Sequence, residues 1–564
     1  MSMNISRRDF LKGSAAGAAA MAAASVLGGM GVTAFAADEK TEEKLQSKYC
    51  NGYDNAAGIG IVSEPDETED ADIVVVGSGI AGFVASMIAK EQAPELKVVL
   101  LEKNGYWGGS TLLAECNGPA TLKTEEEARA IAEEHIKSTG YIAHPMLWYE
   151  QAIDAGYNSA WLFGKHRVGW YQNMGPAFYE GGNGSSAINK YLAPDAEELG
   201  IDMRKSARAK ALVMADDYTC AGVQYVDEDG KITQLNAKAV ILCTGGMSTN
   251  KALLSYYTSQ DLEKTIGWGV GQDGDGQLMA EQTAHGRANH LTVSSMFNNV
   301  DGLAYDSKLG VAGTMQYSDL FVNEDGIRFA DESQKDNLGS TEGGKMIETE
   351  GYVWSILDTS MIKKYEAGGC TRHYSGFADA CVGMEIEIQP ELDMALENEE
   401  LSELIFKADT VEELAEKIGV DPATLAKTVA DYNHYAETGV DEEWGKPAQY
   451  LWACDTAPYY ALRVSSGMVN TNGGIRINRN AQVVDARFRP IIGLYAAGVC
   501  TSGWDNELYG GGSCQTVGMW AGSKSARHAL ETLFNIKVAD DWYGELLDTE
   551  TDAAPSAANM NNKG

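Results

Sequence analysis

The chain has 564 residues and a formal charge of −37, with 81 acidic residues against 44 basic ones. That balance excludes a phosphate-backbone binder, which needs clustered Lys and Arg, and argues against docking on anionic lipid. The 62 glycines follow no fixed period, which rules out collagen-like repeats and leaves tight βα turns or a nucleotide wrapped by backbone.

The N-terminus reads Ser6-Arg7-Arg8-Asp9-Phe10-Leu11-Lys12, then an Ala- and Gly-rich run to Val32, then Ala34-Phe35-Ala36. This pattern predicts a twin-arginine export signal over 1–36, cleaved after Ala36. The run is too poor in Leu and Ile to insert as an anchor. Its removal takes away a net +2, so the mature chain is near −39. No later stretch reads as a transmembrane anchor, which predicts a soluble protein in the periplasm or on the outer face of the cytoplasmic membrane. The twin-arginine route carries folded proteins and so suits an enzyme that loads its cofactor before export. Nine scattered cysteines show no C-x-x-C spacing. That argues against iron–sulfur clusters, structural zinc and attached haem, predicts no metal site, and leaves mostly free, buried thiols.

Residues 37–70 are acidic and Gly-rich and read as a linker. The run Ile73-Val74-Val75-Val76 is a buried strand, and Gly77-Ser78-Gly79-Ile80-Ala81-Gly82 follows it and opens a helix. In such a turn the first glycine permits the bend and the second lets a pyrophosphate approach the backbone. The third lets the helix lie close on the sheet. A second strand over 97–101 ends at Glu102, 20 residues past Gly82, where a carboxylate accepts hydrogen bonds from a ribose. Strand, glycines, helix, strand and acid in register predict dinucleotide binding without separating NAD from FAD.

Further along, 124–165 is helical in pattern and a strand pair follows near 211–214 and 222–226. The strand 237–243 ends in Thr244-Gly245-Gly246. From 296 to 443 the chain turns mixed, aromatic and acidic, with amphipathic helices near 391–407 and 410–436. Short strands return over 474–497 and a closing helix covers 521–533. The organisation is one nucleotide-binding domain in two sequence pieces, interrupted by an inserted domain.

Several segments together carry a family resemblance. Glu102-Lys103-Asn104 runs into Gly108-Gly109-Ser110-Thr111, and the distal part of the chain reads Gly493-Leu494-Tyr495-Ala496-Ala497-Gly498. Between them lie Ala239-Val240-Ile241-Leu242-Cys243-Thr244-Gly245-Gly246, Gly274-Asp275-Gly276 and Phe321-Val322-Asn323 with Gly326, Arg328, Phe329 and Glu332. Thr471-Asn472-Gly473-Gly474 completes the set. These segments, in this order over about 71–535, resemble the flavoprotein family of fumarate reductases, urocanate reductases and 3-oxosteroid dehydrogenases.

The resemblance implies an α/β fold: a Rossmann-like FAD-binding domain split in sequence, with an inserted α+β capping domain. The expected parts are 71–296 and 448–540 for the FAD domain, 297–447 for the cap, and 541–564 for a flexible tail. FAD, held noncovalently, is the implied cofactor. The implied contacts are Gly77, Gly79, Ala81, Gly82, Glu102, Lys103, Gly109, Ser110, Thr111, Gly245, Gly246, Asp275, Asn470, Gly498, Ser513, Cys514 and Gln515. The implied chemistry is hydride transfer between flavin and a C=C bond activated by a neighbouring carbonyl.

The departures from the pattern narrow the substrate. Fumarate-type members clamp a carboxylate with an Arg where this chain has Tyr509, in Leu508-Tyr509-Gly510-Gly511-Gly512-Ser513. They carry a proton-donating Arg where Asp336 stands, beside Lys335, and a His-His pair where Val469-Asn470 stands. A tyrosine cannot replace a bidentate guanidinium, so fumarate is excluded as a good substrate. The Tyr509 segment instead resembles the Y-P-G-G-G of 3-oxosteroid dehydrogenases, where a Tyr hydroxyl and a backbone N–H hold the ketone oxygen. Tyr509, Gly512 and Lys335 are therefore the catalytic candidates.

Smaller departures concern the cofactor. Val499 replaces a Glu that contacts the flavin chain in the family, and Glu115-Cys116 replaces Gly-Gly beside the flavin edge. Trp268, Tyr305 and Tyr317 are aromatic candidates for the pocket, with core packing as the alternative for each.

Three readings stand. The first is an exported reductase of enones or enoates other than dicarboxylates, steroid-like or aromatic, fed by a separate membrane cytochrome or small flavoprotein. The second is the same chemistry run as a 3-oxosteroid-type dehydrogenase. The third is a non-catalytic FAD-binding protein.

Overall fold

The structure is a computed structural model that describes residues 58–114, 116–119, 123–172, 176–180, 183–250, 253–254, 266–267, 269–299, 320–334, 346–347, 350, 352–367, 388–504 and 513–547. Two large hydrophobic cores organise it.

The first core surrounds a ten-stranded sheet ordered β1-β10-β9-β19-β11-β2-β3-β7, with β18 (Gln482–Val484) on β19 and β8 on β9. Its centre is parallel: β2 (Ile73–Val76) lies between β3 (Val98–Leu101) and β11 (Ala239–Leu242), with Val74 opposite Val99 and Val240. All three strands are uninterrupted apolar runs with every residue buried, as a sheet covered on both faces requires. β7 (Asp202–Arg204) extends the parallel run beyond β3, and β19 (Pro490–Ala496) pairs parallel to β11 on the other side. The strand from the C-terminal part of the chain thus enters a sheet begun by the N-terminal part, so the FAD-binding fold is split in sequence.

Beyond β19 lies a more polar edge of β8 (Arg208–Asp216), β9 (Thr219–Val226), β10 (Ile232–Asn236) and β1 (Glu67–Asp70). β1 falls inside the segment read as a linker. It pairs parallel with β10, residue 67 against 233, and is an edge strand carrying charge, Glu-Thr-Glu-Asp. An edge strand buries little, so it leaves no apolar signature in the sequence.

α1 (Ile80–Gln92) follows β2 directly and packs under the long terminal helix, Ser513–Leu533. α2 (Glu125–Ser138) and α3 (Pro145–Ser159) pair with each other, and α3 packs on the terminal helix. α2 starts with a full capping box, Thr124 and Glu127 exchanging side-chain bonds with each other's backbone. A small antiparallel sheet ordered β4-β6-β5 joins Cys116–Pro119, Pro176–Tyr179 and Trp170–Gln172.

The second core contains residues from Leu320 to Val464. It packs on a sheet ordered β12-β17-β15-β14, with β13 and β16 also on β17. The members are β12 (Ile266–Gly267), β13 (Ala288–Asn299), β14 (Phe321–Val322), β15 (Tyr352–Asp358), β16 (Ile405–Ala408) and β17 (Tyr459–Ile475). β17 is 17 residues long and serves both cores: Leu462 and Val464 lie in the second, Ile475 in the first.

The sequence pattern overextends two helices here. The stretch 391–407 resolves into a helix, Gln389–Glu397, then a turn and β16. The pairing of Ile405 with Leu462 recruits that end into the sheet, a tertiary contact that overrides helical periodicity. The stretch 410–436 is two helices, Val411–Ile418 and Pro422–Thr438. Gly419, left-handed at φ 77°, ends the first. Asp421 caps the second, with Pro422 in its first turn. The closing helix starts at Ser513, eight residues earlier than its pattern suggests. Gly518 and Gly522 weaken the helical signal there but are needed for contact, since a Cβ on either would press on Ile80 or Ala81.

A buried ion cluster fastens the second core. The Arg328 side chain is fully buried and donates to Glu332 Oε2 at 2.9 Å and to Asp441 Oδ2 at 3.0 Å. Lys446, also buried, reaches Glu332 Oε2 at 3.3 Å. Burial alone would raise the Glu332 carboxyl, but the Lys446 and Arg328 charges outweigh it and hold it below the usual range; Asp441 is likewise held low, by Arg328. Carboxylates held low contribute stability above their unfolded pKa of about 4 and lose it as the pH falls through the lower folded values. Arg328→Met, which leaves the buried Asp441 without its cation and Glu332 with Lys446 alone, should cost about 3–5 kcal/mol in chemical denaturation at pH 7. That deficit should narrow in the same measurement below about pH 4.

Candidate functional site

The site assembles where the parallel strands end. β2 ends at Gly77, β3 at Glu102, β11 at Cys243–Gly246, and β19 at Ala497–Gly498. Four turns therefore meet at the C-terminal edge of one sheet, where open α/β sheets bind their ligands.

Each glycine there has a separate reason. Gly77 sits at φ 102°, and a Cβ on it would run into the Cys243 carbonyl. A Cβ on Gly82 would run into the Gly77 carbonyl, so the first turn of α1 lies directly against the end of β2. Gly79 differs: its backbone is extended, and the nearest atom to a Cβ is Thr111 Oγ1 at 3.5 Å. A Cβ there would make only ordinary van der Waals contact, so packing within the protein does not require Gly79. Gly79, the N-cap of α1, offers no side chain and no acidic residue stands in the first turn, so no carboxylate on the helix offsets its positive end.

Glu102 is buried and accepts from the Ser78 hydroxyl at 2.5 Å, the Ser78 N–H at 3.1 Å and the Asn104 N–H at 2.8 Å. Thr111 Oγ1 accepts from the Ile80 N–H at 3.0 Å and steadies the helix start. Ser110 Oγ accepts from the Val270 N–H at 2.8 Å and from Gln272 Nε2 at 2.9 Å, tying Gly109 and its neighbours to 270–272. Thr471 Oγ1 accepts from the Met247 N–H at 3.1 Å and lies against Gly246. Gly245 and Gly498 are left-handed, at φ 74° and 81°. A Cβ on Gly498 would stand 3.3 Å from that of Ala81.

Lys103 and Asp275 form a charged knot below these turns. Lys103 Nζ lies 2.7 Å from Asp273 Oδ2 and 3.4 Å from Asp275 Oδ2, and Arg208 grips Asp275 at 2.7 and 3.0 Å. Burial would push the Asp275 carboxyl up, but Lys103 and Arg208 together hold it below the usual carboxylate range. Sequence reasoning identified Lys103 and Asp275 but missed Arg208 and Ser78. Arg208 lies 67 residues from Asp275 in a strand, and no local motif marks it.

Ser513 and Gln515 are buried and Cys514 is half-buried in the first turn of the helix Ser513–Leu533, where Gln515 Oε1 accepts from the Tyr179 hydroxyl at 3.3 Å. Asn470 lies in β17 opposite Ser294. Tyr509, Gly512 and Lys335 lie outside the described residues, as do Trp268, Tyr305 and Tyr317. No group of three His, Cys, Asp or Glu able to hold a metal occurs among the described residues. None of the described helices is long and apolar enough to cross a membrane.

The residues present fit FAD on three observations: a Gly79 that packing within the protein does not require, a helix start with no acidic residue in its first turn, and a buried acid ending the second strand. Comparison with known proteins agrees. Residues 72–160 and 160–514 match the FAD binding domain family, and residues 4–24 match the twin-arginine translocation pathway signal sequence, so the chain is exported across the cytoplasmic membrane. The chain is 29% identical over 483 residues to the vinyl phenol reductase of Lactiplantibacillus plantarum, covering 82% of this chain and 96% of that protein. It is 28% identical over 530 residues to the probable fumarate reductase Ifc3 of Shewanella frigidimarina, covering 87% and 80%. Among solved structures it resembles the open conformation of a flavocytochrome c3 fumarate reductase, with a TM-score of 0.63, 26% identity, and 84% and 80% coverage.

The two kinds of glycine separate folding from cofactor binding. Gly79→Val should leave the melting temperature of the flavin-free protein unchanged while abolishing the visible flavin band after FAD reconstitution. Gly82→Ala should lower the melting temperature itself, because backbone must move. Strand order, turn geometry and family match together make this chain a member of the FAD binding domain family, an FAD-dependent oxidoreductase.

Proposed function

We propose that the protein reduces a C=C bond conjugated to a carbonyl or an aromatic system, in substrates other than dicarboxylates. The observation that carries this reading is the joint loss of three carboxylate-binding positions, now Tyr509, Asp336 and Val469-Asn470. A dicarboxylate is held by bidentate guanidinium groups, and none of Tyr509, Asp336 and Val469-Asn470 supplies one. The similarity to a vinyl phenol reductase, whose name specifies an aromatic alkene, supports the same direction.

Bound FAD supplies a hydride to one carbon of the double bond. The chain's own residues do the rest. The Tyr509 hydroxyl and the Gly512 N–H donate to the carbonyl oxygen, where negative charge develops as the bond is reduced. Lys335 holds the proton that goes to the adjacent carbon. FAD is held noncovalently by the turns at Gly77–Gly82, Glu102, Gly245–Gly246 and Gly498. Electrons come from a separate carrier at the outer face of the membrane or in the periplasm. Among the readings set out from the sequence, the dehydrogenase direction and a non-catalytic role are the outcomes a substrate panel decides against or for.

With reduced viologen as donor, enones and aromatic enoates should be turned over and fumarate should not. Turnover of fumarate alone, or of no activated alkene, overturns the reading. Tyr509→Phe should lower kcat on a ketone substrate by about 10²–10³, the cost of one oxyanion donor. Acid precipitation should release all the flavin into the supernatant, which absorbance of the two fractions measures.

A further inference from the structure

Glu102 follows β3 at the edge of the first core, and its side chain is buried. A carboxylate offers about four acceptor positions, shared between its two oxygens. Oε2 takes two donors, both from Ser78: the hydroxyl at 2.5 Å and the N–H at 3.1 Å. Oε1 takes the Asn104 N–H at 2.8 Å. Among the described residues these are the donors to Glu102, so Oε2 is filled from within the protein and Oε1 can accept one bond more.

Ser78 is fully buried, and its hydroxyl is engaged on both sides. The Gly108 N–H donates to Ser78 Oγ at 3.0 Å, and the Ser78 hydroxyl donates in turn to Glu102. One hydroxyl thereby fastens three turns: the one after β2, the one after β3, and the one at Gly108. Lys103, next to the acid in the chain, does not reach it. Its ammonium lies 2.7 Å from Asp273 and 3.4 Å from Asp275 instead. Among the described residues no Lys or Arg pairs with Glu102, so the remaining position on Oε1 suits a neutral donor such as a hydroxyl.

We propose that Ser78 makes Glu102 a reader of one ribose hydroxyl rather than two. This rests on the cofactor placement proposed above, with the adenosine ribose of FAD at Glu102, and it specifies how much of that ribose is recognised. A ribose presents two neighbouring hydroxyls, and a carboxylate with both oxygens free can accept from each. Here one hydroxyl donates to Oε1, and the other finds Oε2 already filled by Ser78. Ser78 itself is a positioning residue: it acts on the cofactor through Glu102. The site therefore takes a diphosphate-linked adenosine in which one ribose hydroxyl is required and its neighbour is replaceable.

The test uses the full chain stripped of flavin, titrated with FAD and with its 2′-deoxyadenosine and 3′-deoxyadenosine analogues, each Kd read from flavin fluorescence. In the wild-type protein one analogue should bind roughly tenfold to a hundredfold more weakly than FAD, the worth of one hydrogen bond to a carboxylate. The other should bind within about twofold of FAD. Ser78→Ala frees Oε2, so the second analogue should now also lose affinity, by about threefold or more relative to FAD on the same variant. Each ratio is taken within one protein, so a merely structural defect at Ser78 weakens all three ligands alike and leaves the ratios unmoved. Loss with both analogues in the wild-type protein overturns the proposal, and so does an unchanged pattern in Ser78→Ala. Loss with neither analogue overturns the placing of the ribose at Glu102. Should Ser78→Ala fail to bind FAD, Ser78→Cys, whose thiol donates weakly, carries the same comparison.

Discussion

The structure depends on a place where side chains are absent. At Gly82 the helix α1 lies against the Gly77 carbonyl, and at Gly77 the backbone lies against the Cys243 carbonyl, with no room for a Cβ at either. β2, which ends in this contact, is flanked by β3 and β11 in matched parallel register. A side chain at Gly77 would push on the end of β11, and one at Gly82 on the end of β2. The same device recurs one layer out, where Gly518 and Gly522 bring the terminal helix onto Ala81. Each glycine costs on the order of 0.5–1 kcal/mol in chain entropy. The buried apolar strands and the close helix contacts offset it, and the result is a backbone surface bare enough for a diphosphate.

The second core follows another logic. Its sheet is built on β17, and its loops are fastened by charge rather than by close backbone contact. The segment Phe321–Glu332, one of those that carry the family resemblance, is paired with itself and with Asp441: Arg328 bonds to Glu332 four residues later and to Asp441 far along the chain. A buried ion cluster adds little net stability over an apolar substitute but fixes one geometry, because each charge has a single set of partners.

Legibility in the sequence followed the range of the interactions. The dinucleotide turn was fully readable because strand, glycines and acid occupy one continuous stretch, Ile73 to Glu102, and each has a local reason. The split of the domain was readable from Ala496-Ala497-Gly498, whose strand joins β11 in the structure. Elements defined by distant partners were not. β1 and β16 exist because β10 and β17 accept them, and Arg208 reaches Asp275 from a strand with no motif. The sheet of β4, β5 and β6 was invisible for the same reason: Cys116, Tyr171 and Phe178 are adjacent only through register.

The cysteines give the export route a chemical meaning. Cys220, Cys243 and Cys500 are buried thiols in a protein exported across the cytoplasmic membrane, away from the reducing interior. Burial pushes the Cys500 thiol up to about 11 and the Cys220 thiol up to about 12, so almost none is present as the reactive thiolate. A chain that crossed unfolded would present these sulfurs to oxidants before they had neighbours. A chain that crosses folded carries them as interior atoms. The chemistry of these three sulfurs is thus settled on the reducing side, before the outer compartment meets them.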